Sequence, residues 1–451
     1  MHRNVAWFAA LCACIALSAC GGGGSVSPPP SQSTPAARSP IKHVIIIVQE
    51  NRTVDDLFNG FPGADTVTTG KTSTGKTVPL RSIPLEAHYD LDHSHAGVNG
   101  VPGGFVVEYD GGKMDGFDKE PSYPEAGSSP PPFPAYGFVP QSETKPYFQL
   151  AEQFTFADHM FQTNEGPSFP AHQFLISGTS EPSAGSDMLA AENVIYPQHV
   201  IKENSGCDSP PGSTVALINS STGAETQNVF PCFDHETLFD LLDSHSISWR
   251  YYTPQPFFLW TGPEAIKHIR FGPDWSKVSV PETNIFNDVA LGTLPAVSWV
   301  VPTSTNSDHA TSNSKAGPSW VGDVVNVVGT SQYWSDTVIF VTWDDWGGWY
   351  DHVTPTIYNS YEDGFRVPLI VISPFAKAGY VSKVPHEFGS ILKFIEENWG
   401  LGSLDQTDQR ADDLADCFNF TQTPLPYKPV STLFTKEQLI HAWRPEAPDN
   451  E

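Results

Sequence analysis

Positive charge is scarce in this chain. Across 451 residues, 24 Lys and Arg stand against 51 Asp and Glu, a formal net charge of −27. That balance argues against nucleic acid as a partner, because phosphate backbones are held by Lys and Arg. It also argues against broad adhesion to anionic lipid. A small anion could bind, but only in a locally positive pocket. Cysteine is scarce as well, six in all, and no two are spaced as in the paired CxxC motifs that hold zinc. The apolar run near the N-terminus, "VAWFAALCACIALSA", is too short and wrongly flanked to span a membrane. No internal repeat is visible, and no linker divides the chain after residue 41.

His2-Arg3 precede that apolar run, which ends "LSAC", with Cys20 followed by four glycines. This targeting segment resembles a bacterial lipoprotein signal, in which Cys20 becomes the lipidated first residue; an ordinary signal peptide cut nearby is the alternative. Residues 1–19 are read as the signal peptide and 20–40 as a disordered Gly/Pro/Ser-rich tether. Residues 41–451 are read as one catalytic domain. The expected location is outside the cytoplasm, either anchored to the cell envelope through Cys20 or secreted. Cys207 and Cys232 flank a Gly/Ser/Asn-rich excursion and could close it as a disulfide. Cys417 is left over, as a buried and inert thiol.

Near-continuous apolar runs recur with helical stretches between them: "HVIIIVQ", "ISWRYYT", "AVSWVVP", "DTVIFVTW" and "PLIVIS". "HETLFDLLDSH", "VGDVVNVVGTSQYW" and "GSILKFIEENWG" read as helices or helix-like stretches between them. The pattern predicts an α/β fold, with a mostly parallel central sheet covered by helices on both faces. The Pro-rich stretch 119–145 reads as a long surface loop, and 180–232 as an insertion that covers or borders a site.

In open parallel sheets, ligands bind beyond the carboxyl ends of the strands. Two of these runs end in dense polar chemistry. "HVIIIVQ" leads into Glu50-Asn51-Arg52, and "TVIFVTW" into Asp344-Asp345. If the two strands are parallel neighbours, Glu50, Asn51, Asp344 and Asp345 face one cleft. Like charges that close cannot all stay ionised alone. A divalent cation resolves the conflict, and oxygen donors suit Ca²⁺, Mg²⁺ or Mn²⁺. Gly347-Gly348 follow directly and let the backbone turn sharply beneath the site.

The nucleophile candidate lies in "TNEGPSFPAHQFLISG". Ser168 reads as an N-cap, Pro170 fits the first helical turn, and Gly178 stands where the helix stops. A helix N-terminus favours an anion such as phosphate, and a nearby cation would lower the serine hydroxyl pKa. His309 follows the strand "AVSWVVP" and His93 lies in "YDLDHSHAG"; either could protonate a leaving oxygen or stabilise phosphoryl charge. Trp343, Trp346 and Trp349 read as core or rim aromatics, or as a cage for a quaternary ammonium.

Together these segments resemble the bacterial phosphoesterase family of non-specific phospholipases C and secreted acid phosphatases. "HVIIIVQENRTVDDLFNGFPGAD", "DLDHSH", "GGKMDGF", "FTFADHMFQTNEGPSFPAHQFLISG", "SDHA", "VTWDDWGGWYDHV" and "FRVPLIVISPFAKAGYV" carry the resemblance in order, roughly from Lys42 to Leu401. The resemblance implies an alkaline-phosphatase-like core and a metal held by Glu50, Asn51, Asp344 and Asp345. It implies Ser168 as the nucleophile that binds the metal and forms a phosphoserine. It implies phosphoryl contacts from His93 and His309, with His268 as a further carry-over whose spacing is altered by insertions. Lys113 could help neutralise substrate charge. Ser168 replaces the Thr of many phospholipases C, Ala171-His172 replace their Asn-Arg, and Asp344-Asp345 replace their Asp-Glu. Serine and Asp-Asp are closer to the acid-phosphatase branch, so hydrolysis of phosphomonoesters is the first reading and of phospholipid diesters such as phosphatidylcholine the second. The departures bear on the substrate more than on the chemistry. A surface-tethered, cation-dependent binding protein without catalysis is the reading of another class.

Overall fold

A computed structural model describes residues 39–441, apart from Asn99 and 198–203. The expected signal peptide, Cys20 and nearly all of the tether lie outside the described residues. Eight strands form the central sheet: β1 (His43–Gln49), β2 (Thr155–Ala157), β3 (Trp249–Tyr252), β4 (Val278–Ser279), β5 (Val297–Val300), β6 (Thr337–Trp343), β7 (Leu369–Ile372) and β8 (Tyr380–Ser382). Their order across the sheet is β4-β3-β5-β1-β6-β7-β2-β8.

The two long strands lie side by side at the centre. All of β6 and all but the first residue of β1 are buried, which explains why both read as unbroken β-branched and aromatic runs. All the pairings are parallel except those of β7, which runs against both β6 and β2. "PLIVIS" is the expected buried strand, but composition cannot give its direction. A strand buried on both faces has the same apolar run whichever way it points.

Six longer helices matter for the site: α1 (Lys145–Gln153), α2 (Ser168–Ser177), α3 (Leu238–Ser244), α4 (Asn284–Leu291), α5 (Gly317–Gly329) and α6 (Phe388–Trp399). They cover both faces. Phe340 of β6 packs edge-on against Phe394 of α6, and Trp343, three residues on, packs against Tyr147 of α1. Side chains an odd number apart on a strand point to opposite faces. Helix α2 packs against α6, and α5 against α1 and α4. A reciprocal capping box at Thr237 and Asp240 starts α3, and Gly178 ends α2 in the left-handed conformation.

The excursion 180–232 holds a three-stranded antiparallel sheet, Met188–Ala190, Val215–Asn219 and Glu225–Val229. Cys207 and Cys232 are joined as a disulfide across a sequence separation of 25. Closing a loop of that length stabilises by about 3 kcal/mol. The double variant Cys207→Ser/Cys232→Ser should lose about that much in urea unfolding. An unchanged midpoint would contradict a stabilising role for the bridge.

Candidate active site

The site grows from the pairing of β1 with β6. Gln49 lies opposite Trp343 in the parallel register, so the next residues of both strands emerge at the same edge. The chain keeps the two ends together past the strands. Asp344 N–H donates to the Gln49 carbonyl (2.9 Å), Asn51 N–H to Asp344 Oδ1 (3.1 Å) and Arg52 N–H to the Asp345 carbonyl (2.9 Å). Asn51 takes a left-handed conformation (φ 59°), which Asn tolerates better than most side chains. Gly347 does the same (φ 62°), and a Cβ there would stand 2.5 Å from the Asn51 carbonyl oxygen. The expected tight turn is therefore present and permits no side chain.

Ser168 arrives from α2. Its Oγ donates to Asp345 Oδ2 at 3.0 Å and lies 3.5 Å from Glu50 Oε2. Pro167 takes the N-cap position and Ser168 is the first helical residue. Its hydroxyl turns toward the carboxylates instead of back to the helix amides, and Asn193 of the excursion accepts from Phe169 N–H in its place (2.8 Å). One turn along α2, His172 Nε2 stands 3.2 Å from Glu50 Oε1 and 3.7 Å from Asp344 Oδ2. The sequence reading noted His172 only as a departure from the family. Its i, i+4 spacing from Ser168 was the available signal, since such residues share a helix face.

Glu50, Asn51, Asp344, Asp345, Ser168 and His172 are all buried. Asp344 Oδ2 has no hydrogen-bond partner, a costly state for a buried carboxylate oxygen. Carboxylates, an amide oxygen and a hydroxyl are the donor set of a hard divalent cation, so the residues present fit one. Glu50, His172 and Asp344 form one of three groups with metal-ligand proximity among the described residues.

Two histidines complete the cluster. His93 gives its Nδ1 proton to the Leu91 carbonyl (2.8 Å), which leaves Nε2 as acceptor for Asn51 Nδ2 (3.0 Å). That pairing commits the Asn51 nitrogen, so the oxygen is the atom it could lend to a cation. His309 faces His93, with ring centroids 6.3 Å apart, and stacks over Trp260 at the same distance. Thr311 N–H points to His309 Nδ1 (3.4 Å), which assigns the ring proton to Nε2.

The loop carrying His309 is held by the residues that open the fold. Gln49 donates from Nε2 to the Asn306 carbonyl and accepts at Oε1 from Asp308 N–H. Arg52 donates from Nε to the Asp308 carbonyl (2.8 Å), pairs with Asp56 (3.1 Å) and lies over the Trp349 ring. Trp343 Nε1 donates to Asp308 Oδ2, and Trp346 Nε1 to Glu108 Oε2. Trp343, Trp346 and Trp349 are fully buried. They are core residues with their polar edges or faces already engaged, not an open cage for a quaternary ammonium.

Two residues expected to meet the substrate phosphate are engaged elsewhere. His268 has both ring nitrogens taken, by Asp234 (2.8 Å) and by Asp240 of the α3 capping box (3.1 Å). Those bonds, chiefly that to Asp240, raise its pKa to about 9 against the opposing effect of burial. The excursion ends just before Asp234, and the carboxylates that follow it draw the ring away. Lys113 pairs with Asp110, three residues back, with 65% of its side chain exposed.

The chain matches the phosphoesterase family model over residues 41–402. It belongs to the phosphoesterase family. Membership makes it a phosphoric ester hydrolase. Phospholipase C B of Mycobacterium tuberculosis is 23% identical, over 88% of this chain and 81% of the relative. The hemolytic phospholipase C of Pseudomonas aeruginosa is 24% identical, over 84% of this chain and 56% of its own length. Non-specific phospholipase C6 of Arabidopsis thaliana is 23% identical, over 86% and 74%. Among solved structures, a protein in the alkaline phosphatase superfamily from Vibrio parahaemolyticus overlaps 81% of this phosphoesterase and 71% of its own chain (TM-score 0.36, 12% identity). The lipoteichoic acid synthase LtaP of Listeria monocytogenes overlaps 82% and 74% (TM-score 0.36, 9% identity). Both overlaps are loose, and neither bears on the chemistry.

The excursion lies against the candidate site, with Asn193 bonded to Phe169 of α2 and Glu225 bonded to His95. His95 Nδ1 contacts Glu225 Oε1 (2.6 Å) and Nε2 contacts Glu165 Oε2 (3.4 Å), three residues before Ser168. Burial opposes charge on the ring, but the bonds to Glu165 and Glu225 outweigh it and raise the pKa to about 9. This stabilisation is fully present below the unfolded value of about 6.5 and is lost as pH rises through about 9. Urea unfolding of the wild type should weaken across that window, and that of His95→Gln should weaken less. Identical pH slopes would contradict the ion pairs.

Proposed function

We propose that this phosphoesterase hydrolyses phosphomonoesters through a phosphoserine formed on Ser168. The observation that carries the reading is the approach of Ser168 Oγ to Asp345 (3.0 Å) and Glu50 (3.5 Å) at the start of α2. Glu50, Asn51, Asp344 and Asp345, with Ser168 Oγ, would hold a divalent cation such as Ca²⁺, Mg²⁺ or Mn²⁺. When bound, it supplies Lewis-acid charge that lowers the hydroxyl pKa and offsets charge on phosphoryl oxygens.

The residues of the chain do the rest. Asp345 holds the serine proton in a hydrogen bond and fixes the direction of Oγ. Helix α2 turns the positive end of its dipole toward an incoming phosphoryl group. Ser168 Oγ forms the bond to phosphorus as the bond to the leaving oxygen breaks. The serine proton passes to Asp345, which returns it when Oγ is released. The leaving oxygen takes its proton from water while the neutral His309 donates a hydrogen bond to it from Nε2–H, and His93, tied to Leu91 and Asn51, keeps the amide oriented. Water then attacks phosphorus, releasing phosphate and restoring the hydroxyl. Proton transfer of this kind contributes about 10²–10⁴-fold.

Serine at position 168 and the closed packing of Trp343, Trp346 and Trp349 support a monoester over a choline-type diester. The second reading, phospholipase C action on phosphodiesters, is favoured by the names of the relatives. Action outside the cytoplasm, with attachment through a lipidated Cys20, is supported by the leader sequence and by the Cys207–Cys232 disulfide, since such bridges persist in oxidising compartments.

Ser168→Ala should bring turnover to background with unchanged circular dichroism, and His309→Gln should lower it by about 10²–10⁴-fold. Near-normal hydrolysis by Ser168→Ala would refute the nucleophile assignment. A chromogenic phosphomonoester should be turned over faster than a phosphorylcholine diester at acidic pH. The reverse preference would replace the monoester reading with the diester one.

A further inference from the structure

A second cluster of metal-ligating side chains lies outside the Ser168 site and shares no residue with it. His386 stands just before α6, where the pair His386–Glu387 runs parallel to Met160–Phe161. Its ring is fully buried. Nε2 lies 3.4 Å from Asp416 Oδ1 and 4.0 Å from Cys417 Sγ, and Sγ lies 3.5 Å from the same Asp416 oxygen. Ser382 Oγ, at the end of β8, lies 3.2 Å from Nε2 and donates to Asp416 Oδ2 (2.6 Å). On the far side of the ring, Asp412 Oδ1 stands 2.9 Å from Nδ1.

We propose that His386, Asp416 and Cys417 form a second metal site that takes a soft divalent cation of the zinc class. Zinc bonds of 2.0–2.3 Å in tetrahedral geometry set roughly 3.3–3.8 Å between ligand atoms. The nitrogen, oxygen and sulfur here already lie close to that spacing. A histidine that meets a carboxylate through one nitrogen and a metal through the other is the usual orienting arrangement, and Asp412 is the carboxylate within reach of Nδ1, at ion-pair distance and off the line of a hydrogen bond. A plain imidazolium between Asp412 and Asp416 would account for those two contacts. It would not call for a buried thiol and a hydroxyl converging on the same nitrogen.

The backbone around Cys417 is fixed, since its carbonyl accepts from Lys377 N–H (3.0 Å) and from Thr155 Oγ1 (3.0 Å). The thiolate, imidazole and carboxylate set prefers Zn²⁺ or Co²⁺, whereas the oxygen-rich Ser168 site prefers harder cations. Asp416 and Asp412 are part-exposed and give the ion a way in. The bound ion would tie the start of α6 to the turn at Ala415–Cys417, and binding releases the thiol proton.

The test is spectroscopic and does not depend on catalysis. The purified mature chain is loaded with Co²⁺ and its near-ultraviolet thiolate-to-metal absorption recorded, and Zn²⁺ per chain is counted after dialysis. The wild type and Ser168→Ala should both show the band, and the wild type should hold one more Zn²⁺ than Cys417→Ser, which lacks the band. Asp412→Asn keeps the thiol and should bind about 10–100-fold more weakly. Zn²⁺ should also slow alkylation of Cys417 in the wild type. A Co²⁺-loaded wild type without a thiolate band, or alkylation of Cys417 indifferent to Zn²⁺, would overturn the proposal.

Discussion

Parallel pairing of His43–Gln49 with Thr337–Trp343 is the constraint on which the site depends. One register, Gln49 against Trp343, brings the two acidic strand ends to the same edge of the sheet. A slip of one residue would send every side chain of a strand to the opposite face, so the packing of Phe340 and Trp343 on different helices locks the register that chemistry requires. The chain thereby gathers Glu50, Asp344 and Asp345 in a buried space, where like charges are held at a cost. A bound cation is the economical way to offset that cost. Among the side chains nearby, His172 Nε2 stands against Glu50 and Asp344.

Support for the candidate site comes from the same short segment that holds its proposed cation ligands. Gln49 and Arg52 lie on either side of Glu50-Asn51, and both hold the 306–309 loop through backbone groups. A guanidinium buried to this degree is tolerable only with its donors satisfied, and Arg52 meets Asp56, Asp308 and Leu85. Breaking a buried pair of this kind costs about 3–5 kcal/mol, because a charge is left without compensation. The sequence Gln-Glu-Asn-Arg therefore interleaves scaffold and proposed ligand within four residues.

What the sequence disclosed follows from what local patterns encode. Val44–Val48 and Val338–Val341 announce buried strands, and polar residues directly after them announce a site. Gly178 announces a helix end. The antiparallel course of Leu369–Ile372 was not legible, because burial on both faces erases alternation. Ser168 was placed one position early at its helix start, because the pull of Asp345 on its hydroxyl is a tertiary effect. His268 shows the limit of carrying residues across insertions, since Asp234 and Asp240 claim its ring. Cys417 reads as an inert leftover in a one-dimensional view. Only the fold shows that His386, some thirty residues earlier, shares its pocket.

The central claim is that a single cation is held where the ends of the two strands meet the start of the Ser168 helix. Anomalous diffraction from crystals of the chain grown with Mn²⁺ tests it most directly. The account predicts a peak within bonding distance of Glu50, Asn51, Asp344, Asp345 and Ser168 Oγ. A fully occupied Mn²⁺ elsewhere, with those oxygens bound only to protein groups or water, would contradict it.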